Sequence, residues 1–173
     1  MQPEDFGYDF RDWVSPYTKG AHALGGVAIV LQDWSSTDTL RAGVDPDVQA
    51  FGRTPGLRTN RTLEKLLERV FALALPQVYV TNVFPFVKSG GISAPVPKRD
   101  ALRAAREFTR EELALVKPVV TIALGRLTAS VLTAVGVDCV GLPHPAARIG
   151  SVAAHEAIWR SVLGNGMGVV PAA

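Results

Sequence analysis

The sequence predicts an α/β protein, a three-layer α/β/α sandwich around a central, mostly parallel sheet of four strands. Three observations carry that prediction. Four short runs, at 27–31, 78–83, 119–124 and 139–142, are almost continuously apolar, as suits strands buried on both faces. The segments between and after them place apolar residues at helical spacing. Strands and helices alternate along the chain, the pattern of a parallel sheet covered on both sides. At 173 residues and 47% hydrophobic, the chain can bury a full core, and residues 1–173 read as a single domain.

Taken in order, residues 3–24 read as irregular to helical, with Phe6, Phe10, Trp13 and Tyr17 spaced to pack one face against the body. The first strand runs into Gln32-Asp33-Trp34-Ser35-Ser36, and polar groups directly after a buried strand sit where open α/β sheets place ligands. Residues 37–61 hold Gly43, Pro46, Gly52, Pro55 and Gly56 and read as a long loop. Leu63, Leu66, Leu67, Val70 and Phe71 predict a helix over 62–75, with Thr59 or Asn60 as its cap and Pro76 as its stop. The second strand leads past Phe84 and Pro85 into a Gly/Pro-rich loop ending at Pro97. An amphipathic helix over 100–116 is halted by Pro118. Gly125 turns the third strand into a helix over 126–135, and a helix over 151–163 closes the fold with Trp159 inward. Right-handed crossovers then gather Gln32, Asp33, Asn82, Gly125 and His144 on one edge of the sheet.

Composition excludes several classes. The single Cys139 rules out an internal disulfide and any all-cysteine cluster or zinc site from one chain. No apolar run reaches the length of a membrane span, and the acidic, polar first eleven residues are unlike a signal peptide. The expectation is a cytoplasmic monomer without a membrane partner. Net charge is only +2, but the first 50 residues carry 8 acids and 3 bases whereas the rest carry 8 acids and 15 bases. A basic remainder is compatible with a polyanionic partner such as nucleic acid. The arginines of 99–110 read more readily as a solvated helix face.

The loop after the fourth strand, Gly-Leu-Pro-His-Pro-Ala-Ala-Arg-Ile-Gly over 141–150, is stiffened by Pro143 and Pro145 on either side of His144. A rigid imidazole with Arg148 four residues on is a device for stabilising an anion formed during a reaction. Asp33 at its strand exit can offset a developing cation or orient a water, or it can cap its own turn. Asn82 can donate to and accept from a planar amide-like edge, or satisfy its own backbone. No Gly-x-Ser-x-Gly elbow and no metal-ligand cluster is present, which argues against the commonest small-molecule hydrolases.

From residue 27 to 149 the order of these motifs resembles the uracil-DNA glycosylase superfamily. Gln32-Asp33 is similar to the first motif of family 1, Gly-Gln-Asp-Pro-Tyr-His. Thr81-Asn82-Val83, with Pro85 and Lys88 beyond, is similar to the middle motif of the family 4 enzymes. Ala123-Leu124-Gly125 and Ala129 match that family's third-strand signature, and His144-Pro145 matches the start of the last motif, His-Pro-Ser-Pro. The resemblance implies a monofunctional repair enzyme that flips uracil out of DNA and hydrolyses its N-glycosidic bond. It implies Asp33 and His144 as catalytic residues, and Asn82 reading the polar edge of the base beside Gln32. The stacking aromatic is Phe51 or its rivals Trp34 and Phe86. Lys88, Ser89, Gly90, Gly91 and Ser93 would meet phosphates, and Arg148 stands where the family carries its wedge residue.

The chain departs from that pattern in named places. Leu31 replaces the first-motif Gly, Trp34 stands where Pro is usual, and Ser35 replaces the Tyr that excludes thymine, so exclusion passes to Trp34 or is lost. Ala146 and Ala147 replace the Ser-Pro of the last motif, removing a phosphate-binding hydroxyl. One cysteine cannot hold the iron–sulfur cluster of families 4 and 5, so no cofactor is expected. These departures keep open a member of the fold that binds DNA without efficient chemistry.

Overall fold

In the computed structural model, which describes residues 1–166, β1 (Val27–Asp33), β2 (Tyr79–Phe84), β3 (Val120–Leu124) and β4 (Val140–Leu142) form one sheet in the order β2-β1-β3-β4. Every neighbouring pair is parallel. Alternation along the strands divides the core. Ile29, Leu31, Val80, Ile122 and Leu124 face one side, where they pack on Leu63, Leu66 and Leu67 of α3 (Arg58–Phe71) and on Trp159 of α7 (Val152–Gly166). Ala28, Val30, Val83 and Ala123 face the other, against α4 (Lys98–Ala104), α5 (Arg110–Val116) and α6 (Arg126–Ala134). The three-layer sandwich expected of the sequence is therefore present, with an all-parallel sheet.

A third cluster lies outside these layers. Tyr8 and Phe10 stack at 5.6 Å, and both meet Trp34 edge-on. Phe6 and Trp13 join them as expected, but Tyr17 does not; it enters the main core on the α3 side.

The stretch 37–61 is not a long loop. It contains α1 (Thr37–Arg41), α2 (Pro46–Phe51) and the start of α3. The Asp45 side chain accepts from the Asp47 amide, Pro46 opens α2, and Gly52 ends it in the left-handed conformation. Glycine is required there for a second reason: a Cβ on Gly52 would sit 1.6 Å from the Pro16 carbonyl oxygen. Likewise α3 starts at Arg58 with Leu57 before it, so neither Thr59 nor Asn60 is its cap, and it ends at Phe71 rather than running to Pro76. The helix expected over 100–116 begins earlier, at Lys98, and is interrupted by one π turn over Ala105–Thr109. That turn sets the Thr109 hydroxyl 2.9 Å from the Asn82 carbonyl oxygen, to which it donates. β2 is an edge strand, so this bond satisfies a carbonyl with no strand beyond it.

Candidate active site

From β1 the chain moves to β2 on one side and later to β3 on the other, so the strand order reverses at the β1/β3 border. Open α/β sheets bind ligands beyond the carboxyl ends of the strands at such a point. A cavity of about 650 Å³ lies there, lined by residues 31–34 at the end of β1, 124–128 at the end of β3, and His144 and Ala146 after β4. Tyr17, Asn60 and part of the 88–95 loop complete its wall.

Asp33 is at the last position of β1, on the same face as Ile29 and Leu31. Both its oxygens are held. Gln32 Nε2 donates to Oδ1 at 2.7 Å, and Lys88 Nζ lies 2.8 Å from Oδ2. The two ion-paired side chains are only 9% and 7% exposed. Lys88 therefore does not stand out toward a phosphate as expected. Its ammonium is drawn inward because a carboxylate buried this deeply needs a counter-charge.

His144 lines the same cavity. The Ala146 amide donates to its Nδ1 at 3.2 Å, which makes Nδ1 the acceptor and leaves the proton of the neutral ring on Nε2. Burial holds this imidazole below the ordinary histidine range; Asp33 pulls the other way, and His155 adds to the lowering. The site thus keeps a neutral ring with one free N–H donor. Gly125 lies against it: at φ +98° that residue turns β3 into α6, and a Cβ there would meet the His144 Cβ at an ordinary 3.7 Å, so it is the backbone conformation that calls for glycine. The loop is tied from behind by fully buried His155 of α7, whose Nε2 lies 3.3 Å from the Ala147 carbonyl oxygen. A carbonyl only accepts, so that nitrogen carries the proton.

The other expected site residues divide. Gln32, Trp34 and Ser93 line the cavity, with Trp34 anchored by its Nε1 donating to the Gly52 carbonyl at 2.9 Å. Phe51 does not. It ends α2 on the outside, 48% exposed, while Val48 of that helix turns inward. Phe86 lies elsewhere too, in an edge-on row with Phe84 and Phe108. Gly90 is not free to cradle an anion: its amide donates to Thr37 Oγ1 at 3.0 Å, and its carbonyl accepts from Asp38, which docks the loop on α1. Ser89 and Arg148 are exposed, and Gly91 is half-buried; none of the three lines the cavity.

Asn82 is a partial departure. It was expected to share the cavity with Asp33 and His144, but it is enclosed and is not among the lining residues. It pairs in register with Leu31, which does line the cavity, and it lies on the same face of the sheet as Val80. Neither atom of its amide has a hydrogen-bond partner among the described residues.

Several contributors escaped the sequence reading. Tyr17, read as a packing aromatic, lines the cavity and donates to Asn60 Oδ1 at 3.0 Å, while Asn60 Nδ2 donates to the Thr54 carbonyl. Burial pushes the Tyr17 phenol up to about 12, so it stays a donor at neutral pH. Arg58 and Arg126 are exposed cations on the cavity rim. Thr128, in the first turn of α6, lines the wall with a buried hydroxyl unpaired among the described residues. Only its place just after a strand-turning glycine could have flagged it.

In chemical terms the cavity sets a fixed carboxylate near a neutral imidazole donor, with cations at its mouth. A bond whose breaking leaves positive charge on one fragment and negative charge on the other fits between them. Among the described residues, no three His, Cys, Asp or Glu side chains cluster to hold a metal ion, and no helix is long and apolar enough to cross a membrane. No curated protein matches the chain. The family model of the uracil DNA glycosylase superfamily matches residues 40–162, which takes in Asn82 and His144 and begins just after Asp33. The match spans well over half of the 173 residues, and the chain belongs to the uracil DNA glycosylase superfamily.

Proposed function

We propose that this protein removes uracil from DNA as a monofunctional glycosylase, hydrolysing the N-glycosidic bond and leaving an abasic site. The observation that carries the reading is the pair at the carboxyl rim of the sheet: Asp33, held through both oxygens, and neutral His144 border one cavity. Extruding the nucleotide from the stack costs a few kcal/mol, which binding in the cavity offsets. His144 Nε2–H then donates to the oxygen that gains charge on the departing base, and Asp33 offsets the cation forming on the sugar while orienting the attacking water. The water adds to the sugar carbon, and the base leaves with the bonding electrons and then takes up a proton.

Asn82 is the group we propose to read the polar edge of uracil, beside Gln32. Its unpaired amide, next to cavity-lining Leu31, supports that role. Trp34 is the aromatic wall of the site. Ser89, Gly91, Ser93 and Arg148 meet the strand, and the rim cations Arg58 and Arg126 join them. The working form we propose is a cytoplasmic monomer with uracil-containing DNA as its partner. The test is incubation with duplexes carrying U opposite G, U opposite A, T opposite G, and hypoxanthine, scored for strand scission after alkali. Cleavage at U is expected; salt-sensitive binding with no abasic product would favour the non-catalytic binder instead.

A further inference from the structure

Lys88 is fastened to the exit of β1 by its backbone and its side chain together. Its amide donates to the Ser35 carbonyl at 3.2 Å, and its carbonyl accepts from Thr37 at 2.9 Å. Its ammonium, meanwhile, lies 2.8 Å from Asp33 Oδ2 and donates to the Ile92 carbonyl oxygen at 2.6 Å. Both partners only accept, so two of the ammonium's three N–H donors are spent inside the protein. The side chain is almost fully enclosed, so drawing its ammonium out to a phosphate would give up both contacts and leave a nearly enclosed carboxylate alone.

We infer that Lys88 is a positioning residue for base excision: it fixes the Asp33 carboxylate and straps the cavity-lining loop Ile92–Pro95 to it. The inference rests on the uracil-excision reading of the same cavity. Gln32 holds only Oδ1. Without the ammonium, Oδ2 faces the cavity unrestrained, and the carboxylate turns away from the sugar it must face. Ile92, Ser93, Ala94 and Pro95 all line the cavity, so one side chain sets both the carboxylate and the adjoining wall. A displacement of about 1 Å in such a group costs about a hundredfold in rate.

The experiment measures single-turnover excision from a U:G duplex, and separately the duplex Kd across a salt series, for the full chain and for Lys88→Met and Lys88→Arg. The Met variant is expected to lose about a hundredfold in the saturating rate, with Kd and its salt dependence unchanged. The Arg variant should recover most of that loss. In an Asp33→Asn background, Lys88→Met should lower the rate no further, because the group it positions is already gone. Should Lys88→Met alone fail to fold, the double variant carries the test, since it leaves no lone buried charge; recovered folding and a rate equal to Asp33→Asn are expected. A weaker Kd with a salt slope smaller by about one, at an unchanged rate, makes Lys88 a phosphate ligand and overturns the inference. So does an unchanged rate and Kd, or a further loss on top of Asp33→Asn. A parent protein that leaves every uracil duplex uncut refutes the reaction itself, a different failure from any of these.

Discussion

Replacing His144 with alanine isolates one interaction. In the folded chain the ring is oriented by the Ala146 amide on Nδ1 and backed by the Gly125 turn, so its single free donor is aimed before substrate arrives. Removing one such preorganised donor typically costs about 3 kcal/mol of transition-state stabilisation. At about 1.4 kcal/mol per tenfold, excision should slow by somewhat more than a hundredfold. The structural cost is separate and smaller: the Ala146 amide loses a partner, worth about 1 kcal/mol, or about 2–4 °C in Tm for a chain of this size. Single-turnover excision from a U:G duplex reads the first effect and thermal unfolding the second. The pH dependence supplies an independent check. Burial lowers the His144 pKa below 6.5, so in the parent the acid limb due to this ring lies below pH 6.5. The unfolded chain binds its proton at higher pH than the folded one does. The ring's contribution to stability is therefore complete above pH 6.5 and is lost as pH falls toward the folded value. The alanine variant should lack that slope. A folded His144→Ala protein that excises uracil at the parental rate would falsify the role given to the imidazole.

Asn82→Val should raise the Tm of the free protein, because it removes two buried, unpaired polar atoms from a strand. The same change should abolish excision; a variant that stays active refutes the base-reading role. His155→Phe removes the tether to Ala147, and the single-turnover rate should fall about tenfold with the duplex Kd, measured as for Lys88, unchanged. Gly52→Ala drives a Cβ into the Pro16 carbonyl at a left-handed position, so it should cost more than the roughly 1–2 kcal/mol of the backbone conformation alone. Denaturant unfolding measures that, and a loss under 1 kcal/mol contradicts it. Thr109→Val strips the hydroxyl from the Asn82 carbonyl, with an expected loss of about 1–3 kcal/mol by the same method.

The sheet was legible because each strand is a short apolar run bounded by a helical pattern, and a parallel strand buried on both faces leaves little else for such a run to be. The strand exits followed, and with them Asp33 and His144. What misled was local chemistry with two meanings. Pro46 and Gly52 punctuate loops, yet in the pattern Asp45-Pro46 to Gly52 they start and stop a helix, and the reading missed α2. Phe51 looked like a free aromatic, but its helix directs Val48 inward instead. Lys88 looked like a surface base in a Gly-rich loop. Its inward turn depends on where Asp33 comes to lie, a contact 55 positions away that no local pattern encodes.

A sequence settles into one fold when local and global preferences agree, and the places where they disagree tend to be working parts. In this chain several of them collect at one end of the sheet. Asn82 has a buried amide with neither atom paired, and Thr128 has a buried hydroxyl without a partner, among the described residues. Asp33 and Lys88 form a nearly enclosed ion pair, an arrangement that well-packed apolar residues often match or exceed in stability. His144 is kept neutral in a buried setting. At the opposite face of the same sheet, by contrast, the buried polar groups are satisfied: Tyr79 and Thr81 both donate to Glu112, at 2.6 and 3.0 Å. The fold is thus able to saturate polar groups on that face, although Ser15 Oγ and Trp159 Nε1 are also buried without a partner among the described residues. It leaves donors and acceptors open on the α3 face of β2 and at the start of α6, beside the carboxylate and the imidazole, and these are the groups that the base of the proposed reaction would complete.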